Sequence, residues 1–263
     1  MLFRRSIAID YAEPLDRKYD HPPAALEKRF LSGKYGAPSI PALIAVPKVV
    51  PLTEKSEHYR VKITRKGGSY AWQKRAIDVL GAVSLLVLCS PLILITALLV
   101  LLSSGRPVLL RQRRLTEGGR IFTMYKFRSM QRDAEAGTGA VMASKSDPRI
   151  TPIGRILRRT RLDELPQLVN VLRGEMSLIG PRPERPEIAV QLARVIPCVH
   201  RRLAVKAGLT GLAQVLGGYS SSVEEYREKV AWDLLYVRRR SLKLDIFIAF
   251  KTVSVVLSGS GAR

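Results

Sequence analysis

The sequence contains few cysteines, histidines and aromatic residues. Among 263 residues there are two cysteines, three histidines and 6% aromatic residues. Cys89 and Cys198 form neither a CxxC motif nor a Cys/His spacing that zinc would require, so we expect two free thiols. The scarcity of aromatic residues also leaves no surface on which successive nucleic-acid bases would stack.

Acidic residues are also scarce, since 22 of them face 44 basic residues and the formal net charge is +22. A charge of this size attracts anions such as nucleic acid, anionic lipid headgroups or phosphorylated substrates. Residues 106–161 include 12 arginines and two lysines but four acidic residues. The positive charge is therefore concentrated in the middle of the chain.

Residues 1–70 lack a regular hydrophobic period, because prolines interrupt them repeatedly. The basic N-terminus is not followed by the apolar stretch of a secretory signal peptide. We therefore predict a partly disordered N-terminal extension over residues 1–70, with a short edge strand or an extended segment near 43–50.

Residues 79–102 contain no charged side chain. A helix needs about 20 such residues to cross the hydrocarbon core. Pro91 follows Ser90 near the middle, and proline kinks or breaks a helix because it lacks a backbone donor. Basic residues flank both ends, and positive charge favours the cytoplasmic side. The pattern fits either a re-entrant hairpin or a kinked single span.

Residues 106–220 have the pattern of a mixed α/β domain. Short strands are predicted at 108–110 and 121–124 around a turn at 117–119. The residues after Leu162 follow helical apolar spacing, which predicts a helix from near Asp163 to Gly174.

Two more helices are predicted in the C-terminal part. Ser221 and Ser222 begin capping-box patterns for a helix that runs toward Tyr236. The apolar stretch 244–257 is too short to span a membrane comfortably, and it suits either an interfacial helix or core packing.

The acidic pair Asp163-Glu164 lies at the start of the first predicted helix. A helix start favours anions, a carboxylate pair can bind Mg²⁺, and an aspartate can attack phosphorus. Helix capping is the alternative role for Asp163. Cationic residues that could bind phosphate occur before and after the pair, and they favour a phosphate site: Lys126, Arg128, Arg155, Arg158, Arg159, Arg161 and Arg182.

A series of motifs in residues 73–262 resembles the bacterial sugar transferases, the monotopic phosphoglycosyl transferases. Motifs in this number and order are far more specific than one short pattern. They are Lys74-Arg75-x-x-Asp78 before Ser90-Pro91, then the segments 125–130, 147–151, 162–168, 174–183 and 208–215, and finally Ser241-Leu242-x-Leu244-Asp245.

The resemblance implies a membrane-associated, monotopic fold. It would be a mixed, helix-rich α/β fold with a re-entrant membrane helix at 71–105, broken at Ser90-Pro91. A catalytic domain at 106–263 would follow, with C-terminal interfacial amphipathic helices. Both flanks of the re-entrant helix would lie on the cytoplasmic face of the bacterial inner membrane.

The resemblance also implies a reaction. A sugar-1-phosphate would move from a UDP-sugar to undecaprenyl phosphate with release of UMP, as the first membrane step of exopolysaccharide, capsule or O-antigen-type glycan assembly. Asp163 would be the nucleophile that carries the phosphosugar, and Asp163 and Glu164 would work with Mg²⁺. The expected phosphate- or nucleotide-binding residues are Lys126, Arg128, Arg158, Pro181 and Arg182.

The chain departs from the family pattern at several positions, so the resemblance does not carry over the sugar specificity. These include Leu110, Thr116, Pro152, Arg161 and Ala207. A basic lipid-binding module and a catalytically idle membrane scaffold are alternative functions, but neither accounts for an acidic pair among arginines. The expected partners are the UDP-sugar, undecaprenyl phosphate and membrane lipids but no nucleic acid, and homo-oligomerisation stays open.

Overall fold

The computed structural model describes residues 68–136, 147–217 and 223–258. The predicted extended segment near 43–50 lies outside these ranges. The described chain has a mixed, helix-rich α/β fold. Its helices and strands are α1 (Gly68–Leu88), α2 (Ser90–Ser104), β1 (Leu109–Leu115), β2 (Ile121–Phe127), α3 (Pro152–Thr160), α4 (Leu168–Leu172), β3 (Ser177–Ile179), α5 (Pro186–Val195), β4 (Gly208–Thr210), α6 (Leu212–Leu216), α7 (Val223–Arg239) and α8 (Leu242–Ser258).

Helices α1 and α2 form a bent pair with an angle of 63° between them. The break lies at Cys89, and Pro91 occupies the first turn of α2, where its missing N–H group costs no helical hydrogen bond. The Ser90 hydroxyl donates to the Val87 carbonyl at 2.8 Å. No single helix in the described ranges is long and apolar enough to cross a membrane, whereas the bent pair meets these criteria together.

Strands β1 and β2 form an antiparallel hairpin that extends from the pair Leu109–Phe127 to the pair Leu115–Ile121. The connection contains a short 3₁₀ turn at Glu117–Gly119, in which Gly118 and Gly119 have positive φ angles. Glycine adopts this conformation without a steric penalty. Both strands are longer than predicted. Strand β1 continues through the arginine-rich residues 111–114, which gave no clear apolar alternation.

Strands β3 and β4 pair in parallel, with Ser177 opposite Gly208 and Ile179 opposite Thr210. The two backbones approach closely just beyond β3, where a Cβ atom on Gly208 would lie 2.1 Å from the amide nitrogen of Gly180. Glycine at position 208 therefore permits this approach. The contact fixes the point at which the loop after β3 leaves the sheet.

Polar contacts of α1 attach the bent helix pair to the rest of the fold. Arg75 in α1 donates to the carbonyls of Val171 and Leu172 at the end of α4, at 2.7 and 2.8 Å. The Asp78 carboxylate accepts from the Ser177 hydroxyl and the Leu178 amide, both at 3.0 Å. These contacts join α1 to the α4–β3 region.

Helix α8 has apolar residues both in the core and on the surface. Leu244 and Ile248 are buried in a cluster with residues from α6 and α7. Phe250, Val253 and Leu257 are exposed farther along the helix. The predicted stretch 244–257 therefore packs in the core through its first half, and its second half presents an apolar surface.

Candidate active site

The acidic pair lies in a six-residue 3₁₀ helix at Leu162–Gln167, which we call the dyad segment, and α4 follows directly. The single α-helix predicted from Asp163 to Gly174 is therefore wrong. Arg161 ends α3 with a left-handed φ of 61°, and Pro166 lacks the amide that a regular helix would use. Gly174 follows α4 with a φ of 73°.

Asp163 does not act as a helix cap. No side chain caps the dyad segment, whose capping position is Arg161. The Asp163 side chain is buried, with 5% exposure, and no side chain of the described residues hydrogen-bonds to it. Burial and the nearby charge of Glu164 raise its pKa to about 6, against the opposing charges of Lys126 and Arg158. Its carboxylate is thus available to a ligand.

Glu164 has a different environment from Asp163. Its Oε1 atom accepts a hydrogen bond from Arg182 at 2.6 Å and lies 4.0 Å from Arg161. Burial raises the pKa of Glu164, but the charge and hydrogen bond of Arg182 outweigh it, so the pKa lies below its usual value. Glu164 is therefore held ionised and in a fixed direction.

Strand β2 packs against the dyad segment and brings Lys126 to the site. Burial lowers the pKa of Lys126 to about 8; the charge of Arg158 lowers it too, while that of Asp163 opposes the shift. Arg158 in α3 donates through Nε to the Ser129 hydroxyl at 2.9 Å. The structure thus brings Lys126 and Arg158 into the electrostatic environment of Asp163.

Arg182 and Pro181 lie in the loop after β3. The Arg182 side chain is 44% exposed and reaches Glu164. Pro181 is buried, and its carbonyl accepts from the Gly208 amide at 2.9 Å. The loop therefore presents a cation to the acidic pair and to solvent at once.

Arg128, a predicted phosphate ligand, makes different contacts. Its side chain is buried, and its guanidinium donates to the backbone carbonyls of Ser104, Gly105 and Arg106. These carbonyls lie at the end of α2 and directly after it, where the helix leaves acceptors without partners. Arg128 therefore ties the end of the bent helix pair to β2.

Asn170, which the sequence did not single out, joins β2 to α4. Its fully buried amide accepts from the Tyr125 N–H at 3.1 Å and donates to the Thr123 carbonyl at 2.8 Å. Tyr125 directly precedes Lys126 on β2, and Thr123 lies three residues before it. Asn170 thereby ties β2, the strand that carries Lys126, to α4, the helix that follows the dyad segment. A single asparagine in an apolar stretch gave no signal of this role.

The acidic pair is a candidate site for Mg²⁺. Within the described residues no cluster of three or more acidic, histidine or cysteine side chains could hold a metal ion. Mg²⁺ commonly binds one or two carboxylates and completes its shell with water and substrate phosphates. The adjacent carboxylates of Asp163 and Glu164 fit such a shared ion.

The chain belongs to the bacterial sugar transferase family, a family of transferase enzymes, whose model matches residues 69–259. A similar protein is the UDP-N-acetylgalactosamine-undecaprenyl-phosphate N-acetylgalactosaminephosphotransferase of Aeromonas hydrophila. It is 46% identical over 194 residues, which are 74% of this chain and 46% of that protein.

In two further relatives the match covers a larger share of the relative's own length. The exopolysaccharide production protein PSS of Rhizobium leguminosarum bv. phaseoli is 42% identical over 72% of this chain and 97% of its own length. The UDP-glucose:undecaprenyl-phosphate glucose-1-phosphate transferase of Caulobacter vibrioides is 42% identical over 72% of each chain. The match thus spans less than half of the Aeromonas relative but nearly all of the Rhizobium one.

Proposed function

We propose that this protein transfers a sugar-1-phosphate from a UDP-sugar to undecaprenyl phosphate and so begins the assembly of a surface glycan. One observation carries the proposal: the buried Asp163 carboxylate, to which no side chain of the described residues hydrogen-bonds, lies beside an ionised carboxylate that an arginine holds in place. The names of the Aeromonas and Caulobacter relatives support the two substrates.

The reaction would take place in two steps. An oxygen of Asp163 attacks the β-phosphorus of the UDP-sugar, and the bond from that phosphorus to the oxygen bridging the two phosphates breaks. UMP leaves with that oxygen. An oxygen of undecaprenyl phosphate then attacks the same phosphorus, which breaks its bond to Asp163 and restores the carboxylate.

The neighbouring side chains have separate tasks in this scheme. Lys126, Arg158 and Arg182 neutralise the phosphate charge, which is the main contribution of a protein to phosphoryl transfer. Glu164 orients Arg182 through the 2.6 Å contact. Asp163 and Glu164 would hold Mg²⁺, which would supply additional neutralisation of the phosphate oxygens.

The bent pair α1–α2 would be the membrane anchor. Its exposed surface is apolar along both helices, for example at Leu80, Leu88, Leu94 and Leu102. A re-entrant pair keeps both basic flanks on the cytoplasmic face of the inner membrane, as the positive-inside rule favours. The soluble UDP-sugar and the lipid phosphate then meet at one membrane surface.

A panel assay tests the proposed function. Full-length protein in nanodiscs is incubated with individual UDP-sugars and Mg²⁺, with and without undecaprenyl phosphate, and UMP release is measured. We expect sustained release with one or a few sugars in the presence of the lipid, loss of release on chelation of the metal, and no release from the variant Asp163→Asn. Full activity of that variant would remove Asp163 from the mechanism. Membrane binding without UMP release for any sugar would favour the scaffold or lipid-binding alternatives.

A further inference from the structure

The backbone of residues 180–185, which we call the arginine loop, is held at four consecutive carbonyl groups. The carbonyls of residues 181–184 all accept hydrogen bonds from groups outside the loop, at 2.8 to 3.0 Å. The donors are, in order, the Gly208 amide, Arg202, Arg114 and the Leu115 amide. Pro181 and Pro183 restrict the backbone further. The loop is therefore built to hold one conformation.

Arg202 bonds directly to the residue that reaches the acidic pair. It lies in a 3₁₀ helix at Pro197–Ala204, and its Nη2 atom donates to the Arg182 carbonyl at 2.8 Å. The Arg182 side chain in turn donates to Glu164 at 2.6 Å. A path of two hydrogen bonds thus connects Arg202 to the acidic pair.

Asp233 in α7 holds Arg202 in this position. Its Oδ2 atom lies 2.7 Å from Nε of Arg202, and both side chains are buried, with exposures of 3% and 8%. Burial disfavours the charged form of Arg202, but Asp233, Tyr226 and Glu184 together outweigh that effect and raise the pKa of Arg202. The guanidinium therefore stays charged and fixed in direction.

Glu184 completes the network from within the arginine loop. It accepts a 2.5 Å hydrogen bond from the Tyr226 hydroxyl, and its carboxylate lies 3.7 Å from Arg202 and 3.9 Å from Arg114. Residues from β1, α7 and the 3₁₀ helix at 197–204 thereby converge on this loop. The network pairs two arginines, Arg114 and Arg202, with the carboxylates of Glu184 and Asp233, and all four side chains are mostly buried.

A buried ion pair is a poor means of stabilising a fold, because well-packed apolar side chains often serve as well or better. Arg202 offers something that an apolar side chain lacks, namely a directed donor for the Arg182 carbonyl. Displacement of a catalytic group by about 1 Å can reduce a rate by about 100-fold. The arrangement therefore suits a group whose position matters for the reaction.

We propose that Arg202 and Asp233 are positioning residues that act through Arg182. They hold the arginine loop so that the Arg182 guanidinium lies against Glu164 and the substrate phosphates. The inference rests on the proposed function, since that function places phosphates at Arg182. It assigns a task in the reaction to two residues that do not touch the substrate.

A double-mutant cycle between Arg202 and Arg182 tests this assignment. Full-length variants Arg202→Gln, Arg182→Ala and the double variant are compared with the parent protein in nanodiscs, by kcat/KM for UMP release. We expect Arg202→Gln to lower kcat/KM by about 10–100-fold in the parent and to cause almost no further loss when Arg182 is already alanine. Arg202→Lys, which keeps the charge and a donor, should recover part of the activity.

The controls separate positioning from stability. Arg194→Gln removes an exposed arginine from α5 and should leave kcat/KM and thermal unfolding unchanged. Asp233→Asn provides a second route to the same loss if Arg202→Gln does not fold. An equal fold-loss in both Arg182 backgrounds would overturn the proposal, as would a lowered melting temperature with unchanged kcat/KM.

Hydrogen exchange distinguishes failure of the inference from failure of the proposed function. Peptides that cover residues 180–185 should exchange faster in Arg202→Gln than in the parent, whether or not UMP is released. Faster exchange in a protein that is inactive with every UDP-sugar would overturn the proposed function and the catalytic task of Arg202 with it. An active parent whose variant shows unchanged exchange and unchanged kcat/KM would overturn the positioning role alone.

Discussion

Two adjacent carboxylates have opposite environments in this protein. Glu164 is paired with Arg182, which lowers its pKa, whereas burial and the charge of Glu164 raise the pKa of Asp163 to about 6. Such separation of neighbouring acids commonly marks separate chemical tasks. The paired residue is suited to orientation, and the residue without a donor is suited to attack on phosphorus.

A substitution of Arg128 distinguishes a structural role of this cation from a role in phosphate binding. Arg128→Ala removes the donor for three backbone carbonyls at the end of α2. We expect the free energy of unfolding to fall by about 1–3 kcal/mol, because buried acceptors lose their partner. The KM for the UDP-sugar should stay near that of the parent.

Thermal unfolding in nanodiscs and steady-state kinetics measure both effects of Arg128→Ala. Arg113→Ala, at an exposed position of β1, is the matched control and should change neither quantity. An unchanged melting temperature together with a raised KM would instead make Arg128 a phosphate ligand.

The contacts of the predicted site residues were harder to predict than their proximity. The charges of Glu164, Lys126, Arg158 and Arg182 all act on the Asp163 carboxyl, and phosphate binding by these residues stays a prediction. The contacts of Arg128 and the importance of Asn170 and Arg202 were not predictable. A guanidinium or amide selects its partner from groups 20 or more residues away, and no local pattern encodes that choice.

At the level of elements, the predicted discontinuity in the long apolar stretch is a bend of 63° between α1 and α2. Proline explains where the second helix starts, since Pro91 lies in its first turn. In the proposed topology, the bend would let the pair enter and leave the membrane on one side. It is therefore the element on which the proposed topology depends.

Replacement of Pro91 by leucine is expected to favour a continuous helix, because leucine restores the backbone donor and a strong helix propensity. In a background without Cys89 and Cys198, Trp72→Cys places one exposed thiol on α1. A membrane-impermeant thiol reagent is applied to intact cells. We expect no labelling with Pro91 present and appreciable labelling after Pro91→Leu.

Leu94→Ala, a change at an exposed position of α2, is the control for that experiment and should leave the thiol protected. Labelling of the Pro91-containing protein from outside would show that the pair spans the membrane and places α1 on the outer side.

Elements with a strong local pattern were predicted better than those set by distant contacts. The hairpin, α7 and α8 lie where the sequence predicted them, although β1 and β2 are longer than predicted. The predicted caps Ser221 and Ser222 lie outside the described residues. The parallel pair β3–β4 was not predicted, because its three-residue strands are separated by about 30 residues and pair through glycine contacts. The dyad segment is a 3₁₀ helix because Arg161 has a left-handed backbone conformation and Pro166 lacks an amide N–H. Apolar spacing reports neither property.

At the scale of the whole molecule, apolar and cationic surfaces occur together. The exposed apolar residues are concentrated on α1, α2 and the end of α8, while the chain carries a net charge of +22. Such a combination suits the surface of an anionic membrane. Contacts of Arg75, Asp78 and Arg128 join the bent helix pair to the elements that carry the site. The anchor and the active site would therefore keep a fixed relation at the membrane.

The central claim is that Asp163 carries the phosphosugar during the reaction. The most direct measurement incubates the nanodisc-bound protein with Mg²⁺ and a UDP-sugar labelled at the β-phosphate, without undecaprenyl phosphate, and then quenches it with denaturant. We predict stoichiometric UMP release and a label that maps to the peptide containing Asp163, disappears when undecaprenyl phosphate is added before the quench, and is absent from Asp163→Asn. Release of UMP only when both substrates are present, with no labelled protein at any time, would contradict the account and indicate direct transfer.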